Sequence, residues 1–257
     1  MKYIKNMFRY RFLLGELVKK GIKLKYRRSY LGIIWSLLEP LLTTIVLTIV
    51  FGTLFENKNP TFPVYILCGR LLYTFFSQST TAAVKSIRVN ASMIKKVYVP
   101  KYLYPLSSIL FNYVIFLLSL IILCILAVVF HVYPNLNTFG VVIPLIVLLL
   151  FSLGVGMILA TIGVFFRDME YLWNVALMLI MYTCAIFYYP ERLMKSGFAW
   201  ILKYNPLYCI ISNFRNAVFG QAIEADTMLY AVIVSVVLLC VGVYVFYKKQ
   251  DEFILQI

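Results

Sequence analysis

The chain has 257 residues, of which 63% are hydrophobic and only 13% are charged, and its mean hydropathy is +0.89. No single water-soluble core buries this much apolar surface, so the composition excludes an ordinary soluble domain and indicates an integral membrane protein. The formal net charge of +14 would favour a nucleic-acid partner in a soluble protein. Here the basic residues cluster between apolar segments, a pattern that orients membrane helices and predicts no nucleic acid.

The N-terminal segment, residues 1–28, is predicted to be cytoplasmic. Apolar residues in 1–20 recur near helical spacing, which predicts an amphipathic helix lying in the membrane interface. Ten Lys or Arg precede the first apolar segment without a small-residue cleavage site, so the segment does not resemble a removable signal peptide. Two roles stay open: anchoring to anionic lipid, or a docking surface for a cytoplasmic partner.

Six apolar segments are long enough to cross about 30 Å of hydrocarbon as helices. They are residues 33–55, 62–84, 105–130, 139–166, 172–189 and 228–247. With both termini inside the cell, every rich cluster of Lys and Arg falls on the cytoplasmic side, as the positive-inside rule requires. The prediction is one all-α domain over residues 1–257 in the plasma membrane, with six transmembrane helices in 33–247 and a cytoplasmic tail at 248–257.

The entry to the first span carries the first candidate site. Arg27 and Arg28 lie at the expected depth of the lipid headgroups, and Trp35 belongs to the aromatic belt. A guanidinium group binds phosphate oxygens with two hydrogen bonds, so the two arginines suit a phosphate. Lipid anchoring alone is the alternative.

Two ionisable residues lie inside predicted spans, Glu39 in the first and Arg70 in the second. Such residues are costly in a membrane and are functional hypotheses by default. At 1.5 Å per residue, Glu39 lies about 9 Å from the inner surface and Arg70 about 12 Å from the outer one, so a direct pair is not expected. Each is predicted to face a polar interior, together with Ser36, Thr43 and Thr44. For Arg70 the alternative is snorkelling to the outer surface.

The segment Val89–Pro105, on the inner side between spans two and three, is too polar to span the membrane and too apolar to be a free linker. We predict a short surface helix ending near Pro100, with Met93 and Val97 packed on the membrane surface. Its basic residues are expected to face water: Lys95, Lys96 and Lys101. Mechanical coupling to a soluble motor and a passive surface loop both fit this pattern.

Small residues in span four occur at intervals of four: Ser152, Gly156 and Ala160, with Gly163 just beyond. Such a row lets another helix approach closely. Whether that partner is another span or a second protomer stays open at this stage.

The segment Tyr189–Gly220 is predicted to enter the outer face and return as two short apolar helices, broken at Asn205–Pro206. Proline lacks an amide donor and disfavours helical geometry in the preceding residue. A broken segment at membrane depth must pack against protein or line a wet cavity. A seventh span at 207–219 is rejected, because it is short and contains Asn213, Arg215 and Asn216.

The motifs of common catalytic sites do not occur in the sequence. It contains no GxxxxGK[ST] loop for ATP, no nucleophile elbow and no HExxH. Asp168 and Glu170 at a cytosolic turn are interpreted as a helix start. The five cysteines are scattered and His131 is the single histidine, so no metal site or disulfide is predicted. The chain is not expected to be an enzyme, and any ATP-driven activity requires another polypeptide.

Several motifs then occur in a fixed order along the chain. They are Tyr26–Gly32 followed by Trp35 and Pro40, Phe62–Pro63 with Tyr65 and Gly69, Val99–Pro100 with Pro105, Phe166–Asp168, and Asn205–Leu207 followed by Arg215. With six spans and this length, the whole chain resembles the membrane subunits of ABC transporters that export cell-surface polysaccharides, the O-antigen and teichoic acid exporters. One departure is in span five, where many relatives have Ser-Pro-Ile-x-Tyr and this chain has Cys184–Tyr188 without the proline.

The resemblance implies a half-transporter. Two copies of the chain would form a channel, and two copies of a separate ABC ATPase would bind below and hold the ATP and magnesium, with no cofactor in this chain. The cargo would be a glycan or polyol-phosphate polymer on an undecaprenyl pyrophosphate lipid, whose pyrophosphate would meet Arg27 and Arg28. Membrane lipids are the remaining partner.

The expected site residues form three further groups. Contacts to the ATPase are implied for Lys85, Arg88, Met93, Lys95, Lys96, Arg167 and Asp168. The outer gate is implied for the excursion that holds Asn205, Pro206 and Arg215. The channel lining is predicted to include Ser36, Glu39, Thr43 and Arg70, and the aromatic residues Tyr182, Phe187 and Tyr188. Aromatic rings stack on sugar faces, although core packing and an outer aromatic belt explain the same residues.

Three other functions remain as alternatives. An ABC permease for a drug or small lipid shares the architecture. A proton-coupled secondary transporter with Glu39 as its proton site predicts gradient dependence, but inverted repeats are not evident. A non-transporting scaffold predicts that Glu39 and Arg70 tolerate apolar substitutions.

Overall fold

The computed structural model of the chain describes residues 10–26, 32–56, 59–97, 99–195 and 197–256, with the backbone alone at residues 33 and 192. Most residues in these ranges are helical, and no strand occurs in them. The predicted all-α class is confirmed.

Twelve α-helices lie in the described residues. They are α1 Arg11–Tyr26, α2 Gly32–Leu54, α3 Phe62–Val89, α4 Ala91–Lys96, α5 Leu103–Val129, α6 Val142–Phe165, α7 Met169–Thr183, α8 Glu191–Met194, α9 Ala199–Lys203, α10 Pro206–Val218, α11 Ala225–Lys249 and α12 Phe253–Gln256. Two 3-10 turns, Leu136–Val141 and Gln250–Glu252, precede α6 and α12. Two helices have a proline in their first turn, Pro63 in α3 and Pro206 in α10. No amide donor is needed at these positions.

Among the residues that the structure describes, four helical stretches are long and apolar enough to cross a membrane: Ile34–Leu54, Leu103–Val129, Leu136–Phe165 and Ala225–Gln256. They correspond to predicted spans one, three, four and six. The other two predicted spans correspond to α3, which carries Arg70, Lys85 and Arg88, and to α7, which has 15 residues.

The fifth predicted span ends earlier than expected. Residues 172–189 were expected to be helical, but α7 ends at Thr183 and Ala185 has a φ of +47°. A positive φ on a residue with a Cβ is strained and interrupts a right-handed helix. The helix therefore stops although the family's proline is missing from this stretch.

Helix α3 is the centre of the bundle. It packs against α2, α5, α6, α7 and α10, and 18 of its 28 residues are buried. Protein surrounds this helix on most sides, and Ser79, Thr80 and Ser86 are buried against neighbouring helices, whereas Gln78 is exposed. This position explains how α3 tolerates a lower hydropathy than the other long helices.

The small residues of α6 contact helices of the same chain. A Cβ at Gly156 would lie 2.6 Å from the Cδ1 atom of Ile109 on α5, and one at Gly163 would lie 2.7 Å from the carbonyl oxygen of Val84 on α3. The question left open by the sequence is therefore answered: other helices of the chain pack on this face. A second close approach was not predicted. A Cβ at Gly154 would lie 2.6 Å from the amide nitrogen of Leu239 on α11.

The bundle has two ends that differ in chemistry. At one end α3, α6 and α11 finish and α5 and α7 begin; we name it the basic end, because it carries Lys85, Arg88, Lys101, Lys248 and Lys249. The other end, named the opposite end, holds the 3-10 turn Leu136–Val141 and the short helices α8 to α10.

Helix α1 lies at the basic end and packs against α5. It continues to Tyr26, six residues beyond the predicted helix of residues 1–20. The predicted apolar positions Ile4, Met7 and Phe8 lie outside the described residues. A Cβ at Gly21 would lie 3.2 Å from the ring of Phe111, so a glycine here lets α1 lie close to α5.

Candidate functional site

A cavity of about 230 Å³ lies between α1, α2, α3 and α5. Its polar lining comes from all four helices: Lys25, Ser36, Glu39, Thr43, Arg70, Thr74, Gln78, Asn112 and Ser119. Apolar side chains complete the wall, among them Trp35, Phe75 and Phe116. Lys25, Glu39 and Gln78 are exposed where the cavity opens, and polar groups gathered between such apolar helices make it the candidate binding site. The four hydroxyl and charged residues predicted to line a channel, Ser36, Glu39, Thr43 and Arg70, all lie in this cavity.

Pro40 shapes the wall that α2 contributes. Because proline has no amide hydrogen, the carbonyl of Ser36, four residues earlier, loses its helical hydrogen bond. The Ser119 hydroxyl of α5 donates to that carbonyl at 3.3 Å. The Thr43 hydroxyl donates to the Glu39 carbonyl at 2.8 Å. The helical hydrogen bond that Pro40 removes from α2 is thus replaced by a bond between α2 and α5 at the cavity.

Thr44 does not share this position. Its hydroxyl donates to the Pro40 carbonyl at 2.7 Å, and its side chain is buried away from the cavity lining. The prediction that Thr44 faces the same polar interior as Glu39 is therefore wrong, because adjacent residues on a helix point in directions about 100° apart.

The α3 wall repeats at intervals of four residues. Arg70, Thr74 and Gln78 all line the cavity, as the helical period of 3.6 requires for residues on one face. The structure thus supports the polar-interior interpretation of Arg70 over snorkelling. Thr74 and Gln78 were missed in the sequence, although their spacing from Arg70 would have identified them.

The α5 wall was also missed. Asn112 and Ser119 are buried and lie seven residues apart, on the same face of the helix. The Asn112 amide donates to the Ser108 carbonyl at 2.8 Å. Isolated polar residues in an otherwise apolar helix were the available signal.

Three charged residues line the cavity: Lys25, Glu39 and Arg70. Glu39 and Arg70 form no ion pair in the described part of the chain, as their different depths predicted. Although much of the Lys25 side chain is exposed, desolvation lowers the pKa of its ammonium group, and the Glu39 carboxylate opposes that shift. Of the charged groups in the cavity, Lys25 and Glu39 therefore lie near the basic end, and Arg70 lies on α3.

Arg27 and Arg28, the predicted headgroup site, lie outside the described residues. Lys25, two residues before them, lines the cavity.

The basic end contains a cluster of three charges. Lys85 and Arg88 of α3 both form ion pairs with Glu170 of α7, the lysine at 3.0 Å. Glu170 was interpreted only as part of a helix start and was absent from the predicted site. Asp168 is the residue before α7 but makes no side-chain cap, and both Asp168 and Arg167 are exposed.

The short helix α4 ends at Lys96, and Val97 after it is extended, so the helix stops before the predicted end near Pro100. Met93 packs against a buried cluster, while Lys95 and Lys96 are exposed as predicted. Lys101 was also expected to face water; instead its ammonium group donates to the Gln250 carbonyl at 2.5 Å. That tertiary contact, 149 residues away along the chain, was not available to sequence reasoning.

At the opposite end, Arg215 is buried with 4% of its surface exposed. Its guanidinium donates to three carbonyl oxygens: those of Tyr65 at 3.2 Å, Ala185 at 3.0 Å and Ile186 at 3.2 Å. It also lies over the Tyr65 ring at 3.5 Å. Gly69 makes room for this group, since a Cβ there would collide with the guanidinium. Arg215 therefore joins α10, α3 and the irregular residues after α7.

The break at Asn205–Pro206 occurs where it was predicted. The Asn205 side chain caps α10 by accepting from the amides of Leu207 and Tyr208 at 3.0 and 3.3 Å. Ten residues of α10 are buried, so this helix packs against protein.

The three predicted aromatic residues have different environments. Phe187 is buried with its ring stacked on Phe51 at 4.9 Å, which fits the core-packing interpretation. Tyr182 is half exposed, and its carbonyl accepts from the Tyr188 hydroxyl at 2.9 Å. Among them Tyr182 presents the largest exposed ring.

Fold and cavity together define an α-helical membrane protein with a polar, charged cavity inside its bundle. The profile of the family described as "ABC-2 type transporter" matches residues 13–219, from α1 to the end of α10. The chain therefore belongs to the ABC-2 type transporter family.

Similar proteins cover nearly the whole chain. The O-antigen export system permease protein RfbA of Klebsiella pneumoniae is 28% identical over 242 residues, 94% of this chain and 93% of the relative. A protein of the same name from Myxococcus xanthus is 28% identical over 257 residues, 98% of each chain. The polysialic acid transport protein KpsM of Escherichia coli is 24% identical over 241 residues, 91% of each chain.

Proposed function

We propose that this chain is the membrane subunit of an ATP-driven ABC exporter that moves a lipid-linked polysaccharide or teichoic acid polymer out of the cytoplasm. Two observations support the proposal. The chain belongs to the ABC-2 type transporter family, and relatives that match it along most of its length are named for O-antigen export and polysialic acid transport. The polar, charged cavity is the observation within the chain itself that carries it.

The proposed topology has six spans with both termini in the cytoplasm of the plasma membrane. In this topology, helices α3 and α7 cross the membrane in addition to the four long apolar helices. Burial of α3 among its neighbours supports its place inside a membrane. The concentration of Lys and Arg at the basic end makes this end cytoplasmic under the positive-inside rule.

The headgroup of the lipid carrier is proposed to bind at the mouth of the cavity. Lys25 and Arg70 supply positive charge along the wall, and Arg27 and Arg28 follow Lys25 in the sequence. A pyrophosphate carries several negative oxygens, which lysine and arginine side chains bind by charge-assisted hydrogen bonds.

The energy source is proposed to be a separate ABC ATPase, present in two copies below two copies of this chain and holding the ATP and magnesium. Exposed basic residues on α4, Lys95 and Lys96, lie at the basic end where such a partner would bind. Arg167 and Asp168 at the α6–α7 turn are exposed at the same end. The two ion pairs of Glu170 join α3 to α7 between these surfaces, which provides a mechanical path from partner to bundle.

An apolar face of α7 supports the second copy of the chain. Tyr171, Leu172, Val175, Met178 and Leu179 are all more than half exposed. Their positions repeat at three or four residues, so they form one stripe. A channel between two copies is the proposed path of the polymer, with Tyr182 near the opposite end of the same helix.

Depletion of the protein in its own host tests the proposal. The expected result is accumulation of polymer-bearing lipid inside the cell while polymer at the surface falls. A double variant, Arg27→Ala with Arg28→Ala, should insert normally but lower transport-coupled ATP hydrolysis. If surface polymer and its lipid intermediate both stay unchanged in a host with no redundant exporter, the cargo is not a polysaccharide. Export of a drug or small lipid then becomes the leading hypothesis.

A further inference from the structure

The C-terminal tail folds back onto the bundle at the basic end. After α11 the chain makes the 3-10 turn Gln250–Glu252 and then the short helix α12, Phe253–Gln256. Phe253 has no exposed surface, whereas Ile254 is 53% and Leu255 is 83% exposed. Of three consecutive apolar residues, the first is enclosed by protein and the next two are largely exposed. This difference shows that the Phe253 ring occupies a specific packing site, which we call its seat. General apolar attraction to the surface would not distinguish the three residues.

The seat is built by two long helices. The Phe253 ring stands edge-on to Phe246 of α11, with centroids 5.2 Å apart and an interplanar angle of 83°. It also meets the ring of Phe165, the last residue of α6, at 5.9 Å and 67°. Edge-to-face geometry is a favoured arrangement of aromatic pairs. The tail therefore bridges the ends of α6 and α11.

The same tail holds the segment after α4. Lys101 donates to the Gln250 carbonyl at 2.5 Å, and its ammonium group lies 6.0 Å from the centre of the Phe253 ring. Ile94 of α4 belongs to the buried cluster that contains Phe253, and Val99 and Tyr102 pack against this cluster. The residues on both sides of the α4–α5 connection thus share one apolar core with the tail.

The tail itself is held in shape by its own charges. Lys249 forms an ion pair with Glu252 at 2.8 Å, one turn along the chain, and lies 5.9 Å from the ring of Phe165. Both contacts favour the turn that brings Phe253 back toward α6.

We propose that residues 250–256 act as a latch that holds the connection 99–102 in place, with Phe253 as the positioning residue. The consequence for transport rests on the proposed function, in which an ATPase acts on α4 and its surroundings. A movement imposed on α4 then reaches α6 and α11 through the latch. Without the latch the connection moves by itself, and ATP hydrolysis continues with little export.

The experiment compares Phe253→Ala with the matched control Leu255→Ala in the full chain, purified with its ATPase partner and also expressed in cells lacking the native copy. Hydrogen exchange of the peptide covering residues 97–104, ATP hydrolysis and surface polymer are measured. Phe253→Ala should speed exchange in this peptide and lower surface polymer by about tenfold or more, since a deleted buried ring leaves a cavity that the surroundings only partly fill. ATP hydrolysis should stay close to wild type. Leu255→Ala should change none of the three.

A conservative variant separates positioning from folding. Phe253→Leu keeps an apolar side chain in the seat and should recover most of the export. If Phe253→Ala fails to accumulate in the membrane, Lys101→Met carries the test, because it removes the bond to Gln250 while leaving the ring in place. This variant should also speed exchange in residues 97–104 and lower export.

Equal exchange and export in Phe253→Ala and Leu255→Ala would overturn the latch, as would an unchanged Lys101→Met. A different result bears on the proposed function: a wild-type complex that hydrolyses ATP but exports no polymer would overturn that function. The exchange measurement still decides the latch in that case, because it does not depend on the cargo.

Discussion

The two ends of the bundle hold their polar groups in different ways. At the basic end, the charged side chains that join α3 to α7 pair with each other, as Lys85 and Arg88 do with Glu170, while Lys101 serves the carbonyl of the Gln250 turn. At the opposite end, side chains serve main-chain carbonyls, as Arg215 does for Tyr65, Ala185 and Ile186.

The difference follows from the path of the backbone. Helices α3 and α7 are regular where Glu170 joins them, so side chains alone need partners there. After α7 the chain leaves helical geometry, and its carbonyl groups lose their usual hydrogen bonds. Carbonyl groups in a non-helical segment thus require buried donors, whereas the ends of regular helices are joined by partly exposed charges. Four experiments break or sharpen this contrast, from the largest expected effect to the smallest.

Arg215→Ala should have the largest effect on stability. It removes three hydrogen bonds from a buried guanidinium to main-chain carbonyls, and each contributes about 1 kcal/mol, so the loss is about 3 kcal/mol. Arg215→Lys should lose less but not recover fully, because one ammonium group does not match the planar guanidinium fork. Thermal unfolding in detergent measures both. The matched control is Arg167→Ala, at an exposed arginine. Equal midpoints for Arg215→Ala and Arg167→Ala would contradict the role of Arg215.

Glu170→Gln should lower stability by about 1 kcal/mol at low salt, because two cations lose their counter-charge while the side-chain shape stays. The effect should shrink at high salt, unlike that of Arg215→Ala, since partly exposed ion pairs are screened. Asp168→Asn, at an exposed carboxylate two residues earlier, is the control. The same unfolding measurement is repeated at two salt concentrations, and a loss independent of salt would remove the contrast between the ends.

Ser119→Ala tests the carbonyl rule inside the cavity, where Pro40 leaves the Ser36 carbonyl open. The expected loss is about 0.5 kcal/mol, the lower range for one neutral hydrogen bond. In a Pro40→Ala background the helix supplies its own donor to Ser36, so Ser119→Ala should cost less there. A double-mutant cycle of unfolding free energies measures this coupling. Additive losses would show that the proline and the serine act independently.

Lys25 provides the smallest and most selective effect. Because desolvation lowers its folded-state pKa below the ordinary value of 10.5, the unfolded chain binds more protons between the two pKa values. Stability should therefore rise with pH through this range and level off above 10.5. Lys25→Met should remove this contribution to the pH dependence of unfolding. Glu39→Gln should lower the Lys25 pKa further, because the carboxylate opposes the shift. If Lys25→Met kept the wild-type slope of stability against pH, that slope would belong to another ionisable group.

Sequence reasoning located the long helices well, because helix length and hydropathy are local properties. Span three was predicted at 105–130 and α5 covers Leu103–Val129; span six was predicted at 228–247 and α11 covers Ala225–Lys249. The break at Asn205–Pro206 was also predicted, since a proline preceded by an N-cap residue is a local signal. The end of α7 was not, because positive φ at Ala185 has no signal in the residue itself.

Half of the candidate site was recognisable in the sequence. Glu39 and Arg70 stood out because charged residues in an apolar span are rare and costly. Asn112, Ser119, Thr74 and Gln78 were missed, because a neutral polar residue costs less in a span than a charged one and its signal is weaker. The gate assigned to Arg215 remains a prediction, yet its buried contacts at both α3 and the end of α7 were invisible in the sequence. So was the seat of Phe253 between α6 and α11.

The sequence by itself determined that the chain enters a membrane, where its helices run and which end carries the positive charge. Those features depend on neighbouring residues and on transfer from water to hydrocarbon, which are properties of segments. Only the tertiary structure decided which polar groups meet. Arg215 finds its acceptors 150, 30 and 29 residues away, and Lys101 finds Gln250 149 residues away. Such pairs form because packing brings buried donors and acceptors together and makes an unpaired one costly, and no local pattern specifies which partner is near.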